Sequence, residues 1–98
     1  MKKHRVRFET VYDASQNMDV LFTRDEAPGA IPNGTFVVKC NTNLAEKDKH
    51  PDGAPAHVLG SIGPIDYMGL KNVYGYFVEW LDKPNTPCFI VGTRIRKG

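Results

Sequence analysis

The chain has no apolar run approaching the ~20 residues that a membrane-spanning helix needs, which excludes a helical membrane protein. It has only two cysteines, Cys40 and Cys88. Two thiols make no disulfide framework, and both read as reduced, one or both buried as small apolar side chains. No apolar stretch follows the basic residues of the N-terminus, so no signal peptide is expected and the expected location is cytoplasmic. Heptads, internal repeats and low-complexity tracts are absent. So are a phosphate-binding glycine motif, a nucleophile elbow and a metalloprotease helix. The expectation is a chain that is not an enzyme and uses no cofactor and no metal.

Ninety-eight residues, 41% hydrophobic and 24% charged, make one ordinary globular domain spanning 1–98. The pattern is that of short strands. Val73 to Leu81 (Val-Tyr-Gly-Tyr-Phe-Val-Glu-Trp-Leu) concentrates the β-branched and aromatic side chains that suit a pleated, half-buried surface, and reads as the central strand. Arg5 to Tyr12 alternates Val6, Phe8, Thr10 and Tyr12 on one face, expected to be buried, and Met18 to Thr23 completes a hairpin through the turn at Asp13–Asn17. Further strands are expected at Thr35–Asn41, Ala56–Gly63 and Cys88–Arg96. Gly60 and Gly63 suggest a bulge or a close backbone approach. The polar stretch Thr42–Pro55 reads as a long loop, with Asn43 able to cap one short helix through Lys49. The fold class is therefore mainly β: a small five- to six-stranded antiparallel barrel or sandwich with at most one short helix at 43–50.

The pattern Gly60-Ser-Ile-Gly63, then Tyr76-Phe-Val-Glu-Trp80, Pro87-Cys-Phe89 and Arg94-Ile95 resembles the second half of an SH3-like barrel, over about residues 56–96. The long hairpin at Arg5–Thr23 departs from that family's first half. The resemblance implies a fold and no site residue, since such barrels bind RNA, proteins or peptides through different surfaces.

Several chemistries can be weighed. Asp13, Ser15, Asn17 and Asp19 have the spacing of a calcium loop, but Met18 stands where the sharp turn needs glycine and Arg24 where the loop needs glutamate; they read as a hairpin turn. His50, Asp52 and His57 near Cys40 fit no zinc spacing. Glu79 is expected to face solvent or to pair with a neighbour such as Arg94.

Two features point to partners. Tyr74, Tyr76 and Trp80 share one face of the aromatic strand, either as tyrosine-rich core or as a surface for a protein, a peptide or a second copy of the chain. The net charge of +2 is also unevenly spread. Lys2, Lys3, Arg5, Arg7, Arg94, Arg96 and Lys97 lie at the ends, and all eleven acidic residues lie between. If first and last strands were neighbours, Arg5, Arg7, Arg94 and Arg96 could hold the phosphates of RNA or DNA. The leading expectation is a protein- or peptide-binding module that forms homo-oligomers; the alternative is a nucleic-acid-binding barrel.

Overall fold

The computed structural model describes residues 6–42 and 50–98. The expected helix from Asn43 to Lys49 lies outside the described residues, as does Arg5. The described chain is mainly β, in two antiparallel sheets. β1 (Phe8–Asp13) and β2 (Met18–Thr23) form a two-stranded sheet. The second sheet has five strands: β3 (Phe36–Lys39), β4 (Pro55–Tyr67), β5 (Leu70–Trp80), β6 (Pro87–Val91) and β7 (Ile95–Lys97). They run in the order β6-β5-β4-β3-β7. β4 therefore holds the middle, and the aromatic strand β5 lies between it and the edge strand β6. No strand pairing joins β6 to β7 among the described residues, so the five strands are not a closed barrel. No helix among them is long and apolar enough to cross a membrane.

The core explains the placement of β5. Tyr76, Val78 and Trp80 alternate along the strand and meet Val37, Ala56, Val58 and Ile95 from the neighbouring strands. Ala30, Ile31, Tyr74 and Ile90 pack against this cluster. Phe77 points the other way and is also buried, its ring 6.3 Å from Phe8 and 5.3 Å from Phe89. Apolar residues on both faces of β5 thus mean a strand covered on both sides, by the core and by the hairpin region.

The β1–β2 hairpin sits against the sheet at Gly60. A Cβ there would lie 1.9 Å from the Thr23 carbonyl oxygen, so only glycine lets the chain leaving β2 cross β4 this closely. The contact is tied by Ser61 N–H donating to the Asp25 carbonyl (2.8 Å) and Ala27 N–H donating to Ser61 Oγ (2.9 Å). A register shift at Val58/Gly60 adds the bulge that the glycine suggested.

Four expectations are corrected. The Val6, Phe8, Thr10, Tyr12 face is not the buried one: Phe8, Thr10 and Tyr12 are exposed, and Asp13 is buried instead. β4 does not stop at Gly63 but runs on to Tyr67, because Pro64 falls in the bulge between Ile62 and Ile65, where its missing N–H interrupts no ladder bond. The Cys88–Arg96 strand is broken by a 3-10 turn at Gly92–Arg94 that lets β7 pair with β3 at the far edge. Neither cysteine is buried; Cys40 is half-buried and Cys88 exposed.

Candidate partner-binding surface

The three side chains proposed as a binding face are occupied within the chain. Tyr76 and Trp80 are each 3% exposed. The segment between β2 and β3 covers the tyrosines: Tyr76 Oη accepts from Ile31 N–H (2.9 Å), and Tyr74 donates to the Pro28 carbonyl (2.8 Å). Burial raises the Tyr76 phenol above its usual pKa, which keeps it neutral. The His50 ring stacks on Trp80 at 4.2 Å, held by Asp82 at 3.1 Å. What reads from the sequence as an aromatic face is therefore a tyrosine-rich core whose hydroxyls satisfy loop backbone at the rim.

The basic residues do not gather along paired terminal strands. β1 pairs with β2 and β7 with β3, so the ladder does not make the first and last strands neighbours. Arg7 N–H donates to Asp25, and Arg94 Nη1 donates to the Asn41 carbonyl (2.8 Å). Arg96 lies near Asp52, whose carboxyl is held below its usual pKa chiefly by the Thr42 hydroxyl and N–H, with Lys39 and Arg96 assisting. Arg94 and Arg96 thus lie by Asn41 and Asp52.

The polar candidates take structural partners. Asp13 Oδ1 accepts from the Ser15 N–H and hydroxyl, and its Oδ2 meets Lys83 Nζ at 3.0 Å. These donors, Ser15 first and Lys83 next, pull the carboxyl down to about 2. His57 packs on Phe36, and Glu79 accepts from Asn85 N–H across the β5–β6 turn. Among the described residues no three His, Cys, Asp or Glu side chains gather as metal ligands would.

The surface that stands out is elsewhere, at the far end of the β4–β5 hairpin. β6 pairs with β5 only from Gly75 to Glu79. Beyond Gly75 the two strands continue as an arm, paired to each other through Ile65↔Val73 and Tyr67↔Leu70. Its tip, Met68-Gly69, has φ of +46° and +85°, the double positive φ of a two-residue hairpin turn. Met68 is 86% exposed, and Leu70 and Phe89 are also exposed. Tyr67, Met68 and Leu70 face Phe89, Ile90, Val91 and Arg94 across a cleft of about 360 Å³. An aromatic row leads from this cleft along the sheet: Tyr67 to Phe89 (5.4 Å), Phe89 to Phe77, Phe77 to Phe8. Phe89 fits there because Gly75 leaves room; a Cβ on Gly75 would come within 2.6 Å of the ring. Sequence reasoning missed this site because Met-Gly is not among the Asn-Gly and Asp-Gly turn signals, and because Pro64 hid the continuation of β4.

Compared with known proteins, the chain matches no family model, no curated protein and no solved structure.

Proposed function

We propose that this chain is a non-enzymatic interaction module of SH3-like design that docks protein or peptide through the arm and cleft at the end of the β4–β5 hairpin. The SH3-like reading is supported by the order β6-β5-β4-β3-β7 and by the 3-10 turn at Gly92–Arg94 that carries the chain from one edge of the sheet to the other. The docking reading rests on one observation: Tyr67, Met68, Leu70 and Phe89 form a joined apolar surface around an open cleft. Contiguous exposed apolar area of this kind marks association sites. The cleft lining offers apolar contact and one guanidinium, Arg94, the composition of a recognition surface and not of acid–base chemistry. The aromatic binding face expected from β5 is thereby moved from Tyr74, Tyr76 and Trp80 to the opposite side of the same strand and its neighbours.

The test is selection of peptides from a display library on the immobilised chain, with the winners mapped by amide chemical shifts. Shifts confined to Tyr67–Leu70 and Phe89–Val91 are expected. Enrichment of no peptide, together with steeply salt-dependent oligonucleotide binding lost in Arg94→Ala and Arg96→Ala, would instead favour the nucleic-acid alternative.

A further inference from the structure

We draw no further inference here: the strongest candidate, the exposed apolar tip and cleft at the end of the β4–β5 hairpin, belongs to the docking surface already described, and nothing in the structure shows what covers it.

Discussion

Gly60 and Trp80 show how single positions divide the labour of this molecule. At Gly60 the clash that any side chain would meet is with backbone, the Thr23 carbonyl, which cannot rotate away. Gly60→Ala should therefore cost about 3 kcal/mol or more, the upper end of overpacking penalties, and detach the β1–β2 hairpin; denaturant unfolding with a probe on the hairpin checks both. Trp80 is buried under His50, and Trp80→Ala should cost about 3–5 kcal/mol of stability, read from the urea midpoint, with no change in the residues that selected peptides contact. Asp13 supplies a pH signature. Its folded-state pKa of about 2 lies below the ordinary 3.8, so the folded chain favours the carboxylate. That contribution is complete above about pH 4 and is lost as pH falls through about 2. Thermal melts between pH 4 and 2 should steepen in wild type relative to Asp13→Asn, which lacks the titrating group.

The two hairpins differ in how legible they were. The β1–β2 turn was readable because Asp13-Ala-Ser-Gln-Asn17 is made of residues that bond their own backbone, and Asp13 does so through Ser15. Which face of that hairpin turns inward was not readable. Phe8 and Tyr12 look like core by hydropathy, whereas a two-stranded sheet laid on another buries only what its crossing angle brings into contact. In β4–β5, alternation identified Tyr74, Tyr76, Val78 and Trp80 as one face, and that grouping holds. What covers the face was decided by the Pro28–Ile31 segment, whose backbone groups find the tyrosine hydroxyls across more than forty residues of sequence; no local pattern carries such a pairing. The same element carries a sharper prediction. Met68→Asn should raise the melting temperature slightly, by relieving a left-handed methionine worth roughly 1 kcal/mol, while it weakens docking of selected peptides at the cleft that Met68 lines. Calorimetry beside peptide titration would show the two effects moving in opposite directions.

For the whole molecule, the strand order and the 3-10 link bring the basic residues near the C-terminus beside the cleft of the arm. Arg94 donates to the Asn41 carbonyl and also lines that cleft with Tyr67 and Leu70, while Arg96 lies near Asp52. Composition alone gave the charge asymmetry but not its destination, because the destination depends on β7 crossing to β3. The proposed docking surface therefore lies on the arm and its cleft, where Tyr67, Met68, Leu70 and Phe89 meet. Amide hydrogen exchange measured with and without a selected peptide tests this most directly. The account predicts that Tyr67–Leu70 and Phe89–Val91 amides exchange more slowly with peptide bound, while Val37 and Ala56 do not change. Equal exchange of the arm with and without peptide would contradict it.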